Sequence, residues 1–129
     1  MKIAVLVARM LLGLIFFVLG LNGFLHFIPA PPLSGLVAGF YGAMVVSHYS
    51  VLVFGVQVIA GVMLLTNRFV PLALVVLAAV LANILTFHIT MMPSGLPLAL
   101  LTTLLWIVVA LPLRTHFAPL FVQKADWKS

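Results

Sequence analysis

The chain has 129 residues, of which 66% are hydrophobic and 5% are charged, and its mean hydropathy is +1.41. A water-soluble domain needs far more polar surface than this composition provides, so we predict an integral membrane protein embedded in a lipid bilayer. The net charge of +5 comes from cations at the ends of the apolar segments, which excludes the basic stripe that nucleic-acid binding requires.

The first predicted span runs from about residue 3 to residue 28. At 1.5 Å per residue it is about 39 Å long, which is enough to cross a hydrocarbon core of about 30 Å with some tilt. Its apolar run is far longer than the core of a signal peptide, so we expect a retained membrane helix. Gly13, Gly20 and Gly23 fall on one helical face and predict the close approach of a second helix.

Prolines follow the first span and predict its end, since proline cannot continue a helix. The segment up to residue 48 is too short and too rich in glycine for a confident span. We predict a short helical or re-entrant segment there. Gly35, Gly39 and Gly42 in this segment are candidates for close contact with another helix or chain.

Three more spans complete the chain, at about residues 49–65, 70–89 and 96–113, followed by a tail at 114–129. Pro71 and Pro97 lie in the first turns of the last two spans, where a helix tolerates proline. The predicted fold class is therefore all-α: a single membrane domain, residues 1–129, that forms a four-helix bundle with a short extra segment between the first two spans.

The cations predict the orientation of this bundle. They lie near the start of the first span, in the turn between the second and third spans, and in the tail, while the other two turns carry none. The positive-inside rule then places both termini in the cytoplasm of a multi-pass plasma-membrane protein.

This topology places polar side chains of three spans in the outer half of the bundle. They are Asn22, His26, His48, Gln57, Asn83 and His88. Asn22 and His26 are four residues apart, so we expect them on one helical face that turns inward, because polar groups are costly in hydrocarbon. We predict one polar pocket there, flanked by Phe24, Phe27 and Phe87.

Five short segments combine glycine, proline and polar residues in a particular order. They are Arg9-Met-Leu-Leu-Gly13-Leu-Ile-Phe16 with Gly20, Asn22 and Phe24; Gly55-Val-Gln57 with Ala60-Gly61 and Leu64-Leu65; Arg68-Phe-Val-Pro71-Leu-Ala; Asn83 with Phe87-His88; and Gly95-Leu-Pro97-Leu-Ala-Leu. In order and spacing, over about residues 5–112, they resemble the DoxX family of small four-helix bacterial membrane proteins.

The resemblance implies a location in the bacterial inner membrane and an association with respiratory or sulfur redox chemistry, since one relative is a subunit of a thiosulfate:quinone oxidoreductase. Many relatives have a glutamate where this chain has Gln57. An amide carries no titratable proton, so Gln57 is expected to form hydrogen bonds without carrying protons.

The leading functional hypothesis is a redox-linked module or subunit whose outer pocket binds a quinone or a similar amphiphile. A quinone needs an apolar slot and a hydrogen-bond donor for each carbonyl, and histidine and amide side chains are such donors. The chain has no cysteine, and its only acid, Asp126, lies in the tail. We therefore predict no catalytic residue, and at most a role as a subunit of a quinone-linked oxidoreductase.

Two functional alternatives remain open. The chain could be a non-catalytic structural subunit of a larger membrane complex or of a homo-oligomer, packed through its glycine-rich faces. It could also bind haem between His26 and His88, or a metal ion through these two residues and His48, because imidazole ligates both kinds of centre. The plain structural alternative is that the histidines cap helices and the amides bond between helices.

Overall fold

The structure is a computed structural model that describes residues 2–30 and 32–127, and those residues form helices, turns and loops without any strand. In chain order the helices are α1 (Lys2–Leu25), α2 (Gly35–Val46), α3 (Tyr49–Leu65), α4 (Val70–Thr90), α5 (Leu96–Ala110) and α6 (Arg114–Phe117), and 3₁₀ turns cover Pro93–Gly95, Leu111–Leu113 and Ala118–Phe121. The predicted all-α class is confirmed. Lys128 and Ser129 of the predicted tail lie outside the described residues.

Three helical stretches are long and apolar enough to cross a membrane: Lys2–Leu25, Val70–Thr90 and Pro93–Phe121. A fourth crossing exists if α2 and α3, which meet at 87°, count as one broken span. α3 alone has 17 residues, about 25 Å of helix, which is at the short end of the lengths that cross a bilayer. The last stretch is longer than the predicted span 96–113 because short helical turns continue it on both sides.

The first helix ends earlier than predicted. α1 stops at Leu25 and not at residue 28, because His26 adopts a left-handed backbone conformation with a φ of 51°. The His26 amide still donates to the Asn22 carbonyl at 2.8 Å, and this bond closes the last turn. Pro29 disfavours helical geometry in the residue before it, so the chain leaves the helix ahead of the proline.

The segment between the first two spans contains a short helix, as predicted. This helix, α2, has 12 residues and buries Val37. The chain then turns sharply at His48, whose φ is 66°, and α3 begins at the next residue. The left-handed residue redirects the chain, so α2 does not continue the line of α3.

The four longest helices pack around one apolar core. α1 contacts α3 and α5, and α4 contacts the same two helices. Each of these helices buries one narrow stripe of residues three or four positions apart, which lie on one helical face. The core side chains with no exposed surface include Leu12, Leu64, Leu74 and Leu77. The indole of Trp106 on α5 also donates a hydrogen bond to the Leu74 carbonyl of α4 at 2.9 Å.

Glycines set the closest helix contact, which confirms the packing face predicted for α1. A Cβ atom on Gly61 of α3 would lie 2.7 Å from the Phe17 nitrogen and 2.8 Å from the Gly13 carbonyl oxygen of α1. By contrast, an added Cβ on Gly39 or Gly42 of α2 would meet nothing within 4 Å. Gly13 and Gly61 thus let the backbones of α1 and α3 approach each other, whereas the glycines of α2 make no such contact with residues 2–30 and 32–127.

The packed helices have two different ends. At the basic end, the start of α1 meets the α3–α4 turn and the end of α5, so Arg9 and His116 line one cavity there. At the α2 end, the end of α1 meets the first part of α3, and helix α2 meets the end of α4, which lies against the α4–α5 turn. Residues 10–67 and 69–113 contain no lysine or arginine, so the cations of the spans lie toward the basic end.

Candidate functional site

Asn22 and His26 do not share a helical face, contrary to the sequence prediction. The Asn22 side-chain oxygen accepts the Ile28 amide at 2.8 Å, so Asn22 stabilises the turn that follows α1. His26 lies just outside the helix and its side chain is exposed. The left-handed backbone at His26 rotates its side chain away from the face that regular helix geometry would give it.

Asn83 was also expected to face the interior, and the structure contradicts this. Its side chain is exposed, and its amide group donates to the Ala79 carbonyl one turn earlier at 2.9 Å. A helix offers each amide side chain such a carbonyl of its own, so Asn83 can remain on the outer surface with its donor satisfied. It does not contribute to an interior pocket.

Gln57 is buried, with 7% of its surface exposed. It belongs to the buried stripe of α3 that continues through Ala60 and Gly61 toward the close contact with α1. Counted from the α3–α4 turn at 1.5 Å per residue, Gln57 lies about 12 Å along α3, whereas His88 lies about 27 Å along α4. The two side chains are therefore at different depths.

His88 contacts both its own helix and the α4–α5 turn. Its ring is half-buried and Nδ1 lies 2.8 Å from the Ile84 carbonyl. A carbonyl only accepts, so Nδ1 carries the hydrogen and Nε2 of the neutral ring is an acceptor. A Cβ on Gly95 would lie 2.3 Å from Nε2, so a larger residue at position 95 would overlap the ring unless the ring moved.

Two phenylalanines extend the contacts of His88. Phe87 meets the imidazole edge-to-face with ring centroids 5.1 Å apart. Phe40 of α2 lies against Phe87 at 5.4 Å. We refer to His88, Phe87, Phe40 and Gly95 as the His88 cluster. It joins α2, α4 and the α4–α5 turn at the α2 end, and it contains two of the predicted pocket residues, His88 and Phe87.

The other two predicted aromatic residues lie elsewhere. Phe24 is 43% exposed and Phe27 is 51% exposed. Phe24 meets Phe54 of α3 edge-to-face at 6.4 Å, and a Cβ on the neighbouring Gly23 would overlap the Phe54 ring. Phe24 thus packs between helices, and Phe54, which the sequence did not single out, is its partner.

The predicted histidines do not form a metal centre. No group of three His, Cys, Asp or Glu side chains among residues 2–30 and 32–127 is arranged to hold a metal ion. His48 is exposed, and its ring nitrogen lies 3.3 Å from the Val46 carbonyl in its own turn. His26 lies in a loop, so the opposed-helix geometry expected for haem ligation with His88 is not formed.

A cavity at the basic end was not predicted. Its volume is about 320 Å³, and Arg9, Asn67 and His116 provide its polar lining. One guanidinium nitrogen of Arg9 donates to the Leu64 carbonyl near the end of α3. The signal in the sequence was Arg9 itself, since a cation inside an apolar span requires a polar or wet environment.

A second cavity, of about 260 Å³, lies between α3 and α4 and is lined by apolar side chains such as Ile59, Met63 and Val76. Neither cavity is lined by Asn22, Gln57, Asn83 or His88. These four predicted pocket residues therefore lie outside both cavities.

Comparison with known proteins does not identify the chain. It matches no family model, no curated protein and no solved structure.

Proposed function

We propose that this chain is a DoxX-like protein with four passes through the bacterial inner membrane, and that it is a redox-linked module or subunit without catalytic activity of its own. In this proposal the His88 cluster binds the head group of a quinone or a similar amphiphile. The observation that supports it is the half-buried imidazole of His88, held by a carbonyl on one side and bordered by Phe87.

The ring atoms of His88 suit one side of a quinone couple. With Nδ1 bonded to the Ile84 carbonyl, Nε2 is the remaining acceptor of a neutral ring, and in this proposal it accepts a hydrogen bond from the hydroxyl of a quinol. Phe87 and Phe40 supply flat apolar surface of the kind that borders ligand head groups. Gln57 and Asn83 play no part in this site.

Quinone binding is tested with His88→Leu, which keeps an apolar side chain of similar size but removes both ring nitrogens. The purified protein is expected to retain quinone in an organic extract analysed by chromatography, and one lost hydrogen bond should lower the retained amount about fivefold. The control is His26→Leu, since that imidazole is exposed at the same end. Wild-type protein that neither carries nor binds quinone would refute the site, as would an unchanged His88→Leu variant.

The orientation with both termini in the cytoplasm is supported by the separation of the cations from the α2 end, which follows the positive-inside rule. The chain has no cysteine, so single cysteines can be labelled without background. An impermeant maleimide is expected to label Ser34→Cys in intact cells and Thr115→Cys only after lysis. Both residues are exposed, and the reverse pattern would contradict the orientation.

A structural role in a larger membrane complex or homo-oligomer is the second candidate. It is supported by α2, where Gly35, Gly39 and Gly42 leave open space beside the backbone of the kind that close helix packing uses. A stable partner or oligomer after purification in mild detergent, together with an extract free of quinone, would favour this role over the first.

A further inference from the structure

The cavity at the basic end combines cationic groups with apolar walls. Arg9, Asn67 and His116 lie in its lining together with Val5, Val109 and Leu113. None of the described residues that line it is acidic, so an anion inside it would meet no like charge from the walls. Its volume of about 320 Å³ is far larger than the roughly 15 Å³ that a single bound water needs.

Arg9 is the deepest polar group of this cavity. It follows Lys2 by seven residues, about 10 Å along α1, and its side chain is half-buried. The Leu64 carbonyl takes one of its donors, which holds the planar guanidinium in position. A guanidinium has five N–H donors in a fork that matches two oxygens of a phosphate group.

The start of α4 adds partial positive charge to the same cavity. Val70 and Pro71, the first residues of that helix, belong to the lining, and α4 has no side-chain cap at its start. The N-terminal end of a helix favours a negative group. The partial charge at the start of α4 adds to the full positive charge of Arg9, which also lines the cavity.

We infer that this cavity binds the phosphate of an anionic phospholipid head group. The cavity lies at the ends of the membrane-length helices α1 and α4, where the head groups of a bilayer lie. Its apolar walls suit the glycerol and upper acyl chains, and Arg9 suits the phosphate. This site requires only that the helices cross a bilayer, and it is independent of quinone binding at the His88 cluster.

The test uses the full-length protein in detergent and native mass spectrometry with phosphatidylglycerol or phosphatidylcholine. We expect phosphatidylglycerol to be retained in preference, and Arg9→Gln to lower its apparent affinity about tenfold, as for loss of a charge-assisted hydrogen bond. The control is Arg68→Gln, which removes an equal charge from an exposed position outside the cavity lining. It should change the affinity less than about twofold.

Three outcomes would overturn the inference. They are equal retention of the two lipids, equal effects of Arg9→Gln and Arg68→Gln, and displacement of the lipid by inorganic phosphate at equal concentration, which would indicate a site for free anions. If Arg9→Gln does not fold, His116→Ala provides the test, because His116 is exposed and lines the cavity. It should weaken retention about threefold, and no change would reject the site.

Discussion

Replacing Gly61 with alanine is expected to destabilise the packed helices by about 1–3 kcal/mol, the usual range for overpacking. The added methyl group would lie 2.7 Å from the Phe17 nitrogen and 2.8 Å from the Gly13 carbonyl oxygen. Both are backbone atoms, so no rotamer change can relieve the contact. α1 and α3 would have to separate, and this would weaken the closest contact in the fold.

Gly55 provides the matched control on the same helix. An added Cβ there meets nothing within 4 Å, so Gly55→Ala introduces the same methyl group without a clash. The separated helices in a membrane or micelle are already helical, so the higher helix propensity of alanine should contribute little. We expect its unfolding free energy to stay within about 0.5 kcal/mol of the wild-type value.

Both glycine variants can be compared by unfolding in mixed micelles, with SDS titrated against a mild detergent and tertiary structure followed by near-UV circular dichroism. Equal midpoints for Gly61→Ala and Gly55→Ala would show that the backbones of α1 and α3 are not in close contact at Gly61. A lower midpoint for Gly61→Ala alone would establish close backbone packing as the main constraint at this position.

Leu12→Ala is expected to produce the second large loss, about 2 kcal/mol. Leu12 has no exposed surface, so its truncation leaves a cavity whose lining loses packing contacts. This loss should be smaller than the losses measured for Leu→Ala in the core of a soluble protein, which are about 2.7–5.0 kcal/mol. In a bilayer the separated helix places leucine in lipid, so the gain from leaving water is largely absent.

Leu14→Ala is the control for Leu12→Ala, because it removes the same atoms from the same helix at a position that is 49% exposed. Lipid can fill the space that the shorter side chain leaves, so the unfolding midpoint should hardly change. The same micelle titration measures both variants. A larger loss for Leu14→Ala than for Leu12→Ala would mean that the buried face of α1 has been assigned incorrectly.

The helices and their apolar character could be predicted because they depend on local properties of the chain. Long apolar runs must form helices in lipid, where each backbone amide needs a partner within its own segment. The prolines after α1 and the glycines that follow them predicted the end of the first span and a short helical or re-entrant segment, where α2 is found. The end of α1 was predicted less well. It is set by the left-handed backbone conformation of His26, which hydropathy does not predict.

The candidate site was harder to predict, because side-chain direction depends on which helices are neighbours. Asn83 and Gln57 are both amides inside predicted spans, yet Asn83 is exposed and Gln57 is buried. The difference arises because Gln57 belongs to the stripe that packs toward α1, whereas Asn83 bonds to a carbonyl of its own helix. Hydropathy identified both residues as polar but could not assign their faces.

The sequence by itself determined the membrane class, the approximate helices and the separation of cations from the α2 end, since each follows from composition and order along the chain. Only the tertiary structure decided which residues from different helices come into contact. It placed His88 against Gly95 and Phe87 against Phe40, and it brought Arg9 and His116, more than one hundred residues apart, to the same cavity. These contacts depend on which helices are neighbours and on how each helix is rotated about its axis, and both are fixed by the packing of the whole core.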